Sequence, residues 1–73
     1  MRQAVVLGGY GLIGAACMRA LADAGFAVTG IGRSRRAALA SNLDASWVIR
    51  DITAIETHEW QALLADADVV VNA

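Results

Sequence analysis

The chain has 73 residues, of which 58% are hydrophobic, and its six arginines and seven acidic residues give a formal net charge of −1. This length allows at most one domain with a small core, and a chain without net positive charge is not expected to bind nucleic acid. The single cysteine excludes an internal disulfide bond, and Cys17 and His58 are too few to form a metal site. We therefore expect a cytoplasmic protein with no metal.

The first strand and the loop after it carry the main functional signal. Residues 4–7 form a continuous apolar run, which is typical of a buried parallel strand. The run is followed by Gly8-Gly9-Tyr10-Gly11-Leu12-Ile13-Gly14 and then by a helical pattern. A pyrophosphate site requires this order, because only glycine lets backbone N–H groups at a helix N-terminus approach the phosphates closely. We therefore predict that residues 8–14 bind the pyrophosphate of a dinucleotide.

Two other interpretations of this segment stay open. The glycines would also suit a strand-to-helix turn that binds no ligand. The uncharged stretch from Gln3 to Met18 after Arg2 has the length of a secretory signal, but its four glycines would break the apolar helix of such a signal. The segment is too short and too rich in glycine to cross a bilayer, so no membrane contact is expected from it.

The rest of the chain alternates between helical and strand patterns. The first helix has a predicted inner face consisting of Leu12, Ile13, Ala16, Cys17, Ala20, Leu21 and Ala24, and Gly25 is predicted to end it. Strands are predicted at 26–31, 46–49 and 68–72, and helices at 35–40 and 57–64, with a turn at Ser41-Asn42 and Thr57 as the cap of the last helix. Right-handed crossovers between such strands predict an α/β fold with a partial doubly wound parallel sheet in the strand order 3-2-1-4.

The predicted fourth strand, with Val69-Val70-Val71 at its centre, is apolar on both faces although the order places it at an edge of the sheet. An apolar edge strand favours pairing with another strand. We therefore expect residues 1–73 to be the N-terminal part of a larger dinucleotide-binding domain, or to form a homo-oligomer through this strand.

The loop after the second strand indicates which dinucleotide is bound. A site that prefers NAD has an acidic residue about 20 positions beyond the glycines, which binds the ribose 2′-hydroxyl. This chain has Gly32-Arg33-Ser34-Arg35-Arg36 there, and arginine with serine suits a 2′-phosphate. NADP is therefore predicted, with NAD as the alternative, whereas flavin and methyl-donor sites also require the missing carboxylate. The arginines would also suit a solvated helix start.

Four landmarks together identify a resemblance to the N-terminal half of the extended or atypical short-chain dehydrogenases/reductases. They are the Gly8, Gly11 and Gly14 spacing, Arg33 after the second strand, Asp51-Ile52 after the third strand and Asn72-Ala73 after the fourth. The resemblance implies a Rossmann-like NAD(P)-binding fold, with Arg33 selecting the cofactor and Asp51-Ile52 bordering the adenine. Asp51 has the alternative of capping the next turn, and Asn72 that of tying strand ends together.

Catalytic residues are not expected in this chain. The family resemblance implies a Tyr-x-x-x-Lys pair, but the sequence has no lysine and its single tyrosine, Tyr10, lies in the glycine loop. We therefore predict the NAD(P)-binding portion of an oxidoreductase that is not catalytically complete by itself. The alternative is a non-catalytic NADPH-binding sensor or structural subunit.

Overall fold

A computed structural model describes residues 2–8, 11–40 and 45–73 of the chain, apart from the side chains of 39 and 40. Its elements in chain order are β1 (Gln3–Leu7), α1 (Leu12–Asp23), β2 (Ala27–Gly32), α2 (Arg35–Ala40), β3 (Ser46–Ile49), a 3₁₀ turn (Ile52–Ala54), α3 (Thr57–Leu64) and β4 (Val69–Asn72). All strand pairs are parallel and the order is β3-β2-β1-β4, which confirms the predicted topology. The predicted turn at Ser41-Asn42 lies outside the described residues.

The sheet is covered on both faces, as a doubly wound fold requires. Successive residues of a strand point to opposite faces, and the neighbours Val5 and Val6 accordingly belong to two different core clusters. Val6 packs with Met18 of α1, and Trp47 lies against this cluster. Val5 packs on the other face, where Trp60 of α3 lies against its cluster. Burial of β1 from both sides explains its continuous apolar sequence.

The predicted inner face of α1 is correct for Leu21, which packs against the core, but wrong for Leu12 and Ile13. Leu12 and Ile13 are 91% and 71% exposed, whereas Gly14 and Met18 are buried and Leu21 is half-buried. These last three positions follow the helical spacing i, i+4, i+7, so they form one stripe against the sheet. The apolar residues of α1 are distributed around most of the helix, so its sequence pattern does not distinguish one face from another. The predicted end of the helix is confirmed, since Gly25 follows the C-cap residue with φ of 93°.

The start of α3 also differs from the prediction. The sequence predicts Thr57 as the cap of this helix, but Thr57 is the first helical residue and Glu56 is the cap. The Glu56 side chain accepts from the Glu59 backbone, and the Glu59 side chain accepts from the Glu56 N–H at 3.5 Å. This reciprocal pair satisfies two N–H groups at once, which a single threonine hydroxyl does not.

Strand β4 lies at the edge of the sheet. Among the described residues it pairs only with β1, and its Val70 is 47% exposed. The expected edge position of this apolar strand is therefore confirmed. In the part of the chain that the structure describes, no helix has the length and apolar character needed to cross a membrane.

Candidate functional site

A cleft of about 320 Å³ lies where β1, β2 and β3 end. It is lined by Gly8, Gly32, Arg33, Asp51, Ile52 and Thr53. Parallel strands bring their carboxyl ends to one edge, which is where ligands of open α/β sheets bind. The backbone aligns these ends, since Gly8 N–H donates to Ile31 O at 2.9 Å and Arg50 N–H donates to Gly32 O at 2.7 Å. The cleft thus combines residues that are distant in the sequence, and its volume is at the lower end of the range of ligand sites.

Gly8 forms a tight turn at the end of β1. Its φ is 77°, a conformation that favours glycine, and a Cβ atom there would lie 3.1 Å from the Ala73 carbonyl oxygen. Ala73 N–H donates to Leu7 O at 3.1 Å, and Asn72 is the register partner of Leu7. The structure therefore brings the predicted residues Asn72 and Ala73 beside the glycine loop. The tie between these strand ends is made by the backbone.

Gly11 differs from Gly8 because the chain itself does not require a glycine there. Its φ of −71° and ψ of 168° are ordinary, and among the described residues the nearest atom to an added Cβ would be Gly8 O at an unstrained 3.4 Å. Gly11 directly precedes α1, so glycine at this position places no side chain at the start of the helix. Close approach of a pyrophosphate to a helix N-terminus requires such a position.

Among the described residues, no side chain caps the N-terminus of α1. Gly11 provides no side-chain cap, and the first turn contains no acidic residue. Leu12 and Ile13 contribute exposed apolar side chains there, so the polar groups they offer a ligand are those of the backbone. Backbone N–H groups at a helix start, together with the helix dipole, attract anions. Gly9 and Tyr10, also predicted to bind the dinucleotide, lie outside the described residues.

Asp51 and Thr53 form a compact polar unit in the cleft. The Asp51 Oδ1 atom accepts from Thr53 N–H at 3.0 Å and from Thr53 Oγ1 at 2.7 Å. The pKa of Asp51 is held below its ordinary value of 3.8. The hydrogen bond from the Thr53 hydroxyl contributes most, followed by the bond from the Thr53 N–H and then by the charge of Arg33. Asp51 is therefore ionised at neutral pH and caps the 3₁₀ turn, which is the alternative role that the sequence leaves open for it.

Sequence reasoning missed Thr53 and Gly32 as cleft residues. The available signal for Thr53 is its spacing, because an aspartate at a strand end commonly binds the backbone N–H two residues on. Gly32 is the last residue of β2, one residue beyond the predicted end of that strand.

The arginine-rich loop divides into two parts. Arg33 is exposed and lines the cleft, whereas Arg35 and Arg36 are exposed at the start of α2. The Ser34 Oγ atom accepts from Ala37 N–H at 3.1 Å and so caps this helix. A solvated helix start therefore describes Arg35 and Arg36, whereas Arg33 belongs to the wall of the cleft.

A parallel α/β sheet with an open helix N-terminus after a glycine turn defines a dinucleotide-binding domain. A family model described as the NAD dependent epimerase/dehydratase family matches residues 4–73, and the chain belongs to this family. The predicted resemblance to the extended short-chain dehydrogenases/reductases is thereby confirmed. No significant match was found among curated proteins or among solved structures.

The residues of the cleft fit the NAD(P) that this family binds. Arg33 offers a cation at the end of β2, and Gly11 leaves the start of α1 without a side-chain cap. Among the described residues, no group of three His, Cys, Asp or Glu side chains is arranged to hold a metal ion.

Proposed function

We propose that this chain binds NADP and forms the N-terminal, adenosine-binding part of a short-chain dehydrogenase/reductase domain in the cytoplasm. The observation that carries the proposal is Arg33, an exposed guanidinium in the cleft at the end of β2, where a preference for NAD would need a carboxylate. A guanidinium makes charge-assisted hydrogen bonds with a phosphate and binds it in a bidentate manner.

Each part of the nucleotide has a candidate partner in this proposal. The pyrophosphate lies against the open N-terminus of α1 at Gly11, and the 2′-phosphate lies against Arg33. Asp51 and Ile52 border the adenine. Ala73, which follows β4, lies beside the glycine turn. When bound, the nicotinamide of NADP supplies or accepts a hydride. The residues of this chain bind and orient the adenosine end.

The chain is proposed to be catalytically incomplete by itself, because the sequence contains no lysine for a Tyr-x-x-x-Lys pair. The alternative is a non-catalytic NADPH sensor or structural subunit, which would use the same cleft. Oxidation of NADPH by the protein in the presence of carbonyl substrates would favour the reductase. NADPH binding without turnover would favour the alternative.

The experiment that tests the nucleotide preference is titration calorimetry with NADP and NAD. We expect tighter binding of NADP, and we expect Arg33→Ala to lower the affinity for NADP about ten- to hundredfold, because it removes a charged hydrogen bond worth roughly 1.5–3 kcal/mol. The affinity for NAD should be unchanged. Arg19→Ala is the control, because it removes an equal charge from an exposed position on α1. Equal or tighter binding of NAD by the original chain would contradict the proposal.

We also propose that the outer edge of β4 pairs with a second copy of the chain. The support is the exposed Val70 on an apolar strand that lies at the sheet edge. Sedimentation at micromolar concentration should show association, and Val70→Lys should reduce it. A monomer at these concentrations would contradict this part of the proposal.

A further inference from the structure

Thr53 determines where the Asp51 carboxylate lies. Both hydrogen bonds found for Asp51 Oδ1 come from Thr53, one from its backbone N–H at 3.0 Å and one from its hydroxyl at 2.7 Å. The carboxylate is therefore folded onto the 3₁₀ turn that begins at the next residue. Thr53, Asp51 and Arg33 all line the cleft, so the hydrogen-bonded pair of Asp51 and Thr53 belongs to the wall of the candidate site.

Arg33 and Asp51 line the same cleft, but they do not form an ion pair with each other. Its positive charge contributes to lowering the pKa of Asp51. The direct ion pairs found among the described residues lie elsewhere, between Arg50 and Glu59 and between His58 and Glu56. The cleft wall thus contains a guanidinium and, separately, a carboxylate that accepts its hydrogen bonds from Thr53.

A carboxylate in the same cleft can compete with a phosphate for the guanidinium of Arg33. Arginine binds carboxylates and phosphates with the same planar set of donors, so a carboxylate paired with Arg33 would have to be displaced before a 2′-phosphate bound. A hydroxyl that holds the carboxylate elsewhere removes this competition without removing the negative charge.

We propose that Thr53 is a specificity-determining positioning residue, whose hydroxyl keeps the Asp51 carboxylate on the 3₁₀ turn and leaves Arg33 available to the 2′-phosphate of NADP. This inference rests on the proposed function, because it requires that Arg33 bind that phosphate. NAD has a hydroxyl in place of the phosphate and makes no such demand on Arg33. Loss of the Thr53 hydroxyl should therefore weaken the binding of phosphorylated ligands selectively.

Thr53→Val tests the inference, because valine keeps the β-branched shape and the backbone N–H but lacks the hydroxyl. Adenosine 2′,5′-bisphosphate and 5′-AMP are suitable probes, since they differ by the 2′-phosphate and need only the adenosine end of the site. We expect Thr53→Val to lower the affinity for the bisphosphate about two- to fivefold, the scale of one exposed ion pair. The affinity for 5′-AMP should be unchanged, and Thr53→Ser, which retains a hydroxyl, should bind like the original chain.

The double variant Thr53→Val/Asp51→Asn separates positioning from a general structural effect. A neutral amide does not compete with a phosphate for Arg33, so in the Asp51→Asn background the valine substitution should have no further effect on bisphosphate binding. Circular dichroism before titration verifies that each variant is folded, and Thr53→Ser remains a test if the valine variant is not.

The outcomes also separate this inference from the proposed function. A preference for the bisphosphate that depends on Arg33 but is unchanged in Thr53→Val would overturn the role of Thr53 alone. Equal losses for both ligands, or a loss that persists in the Asp51→Asn background, would likewise exclude positioning. No preference for the bisphosphate in the original chain would overturn both proposals.

Discussion

Helices α1 and α3 begin in opposite ways. At α3, Glu56 and Glu59 form a reciprocal cap, and Arg50 donates to both carboxylate oxygens of Glu59. At α1, Gly11 provides no cap and the first turn has no acid. A helix start has N–H groups without partners within the helix, and these bind side chains, water or a ligand. The comparison teaches that α3 supplies its own negative charge, whereas α1 has neither a side-chain cap nor an acidic first turn, which is why we propose that it binds an anion.

The strongest test of this comparison is Gly11→Val. The backbone at Gly11 has an ordinary conformation and an added Cβ meets Gly8 O at 3.4 Å, so the fold should be kept. The isopropyl group would fill the space that the pyrophosphate needs, and calorimetric titration should detect no binding of NADP or NAD. Ala16→Val is the matched control, because it adds the same branched group at an exposed position on α1. Near-native affinity in Gly11→Val would mean that the loop is only a turn.

Gly8→Ala should instead act on stability. At a φ of 77° a side chain costs about 1–2 kcal/mol, and Ala73 O lies 3.1 Å from the new Cβ. We expect the free energy of unfolding in urea to fall by about that amount. Gly11→Ala is the control, and its change should stay within about 0.5 kcal/mol, because reduced unfolded-state entropy and poorer capping act in opposite directions. Equal losses at the two positions would remove the distinction between them.

Glu56→Ala examines the other half of the comparison. Removing the cap of α3 should lower the free energy of unfolding by about 0.5–1 kcal/mol and leave nucleotide affinity unchanged. Thr57→Ala should have a smaller effect, because Thr57 is the first helical residue and not the cap. A larger loss in Thr57→Ala would restore the cap predicted from the sequence, and a loss of nucleotide binding in Glu56→Ala would connect α3 to the site.

The smallest expected effect is the pH dependence of the pair between Arg50 and Glu59. The hydrogen bond from Arg50 holds the pKa of Glu59 below its ordinary value of 4.5. A lowered carboxylate pKa stabilises the fold above that value, and the stabilisation is lost as the pH falls through the folded-state pKa. Urea unfolding should therefore show a small deficit of Glu59→Gln at pH 7 that disappears as the pH is lowered below 4.5. A loss of stability in Glu59→Gln that does not depend on pH would show that the packing of the Glu59 side chain, and not its charge, stabilises the fold.

The order of the sheet could be predicted because it depends on signals that survive in the sequence. Continuous apolar strands indicate a parallel sheet, and the handedness of crossovers then limits the order. The loop after the second strand and the family resemblance indicated Arg33 and Asp51 as site residues, and the cleft brings both together with Gly8. These features follow from strand direction and do not require side-chain detail.

The errors concern choices between residues of similar character. The buried face of α1 could not be predicted because apolar residues occur around the helix, and only packing selects Gly14 and Met18. Thr57 is a good cap by type, but the spacing of Glu56 and Glu59 allows two reciprocal bonds. The hydrogen bond from the Thr53 hydroxyl to Asp51 depends on the side-chain conformations of both residues, which the local sequence favours but does not determine.

The two tryptophans lie in separate layers of the molecule, Trp47 in the cluster with α1 and Trp60 in the cluster with α3. Each indole is therefore an intrinsic optical reporter for one face of the sheet. In variants that retain a single tryptophan, fluorescence during urea unfolding distinguishes concerted loss of both layers from loss of one before the other. Because Trp47 packs against the same cluster as α1, a change in its emission on addition of nucleotide would report binding at the N-terminus of α1.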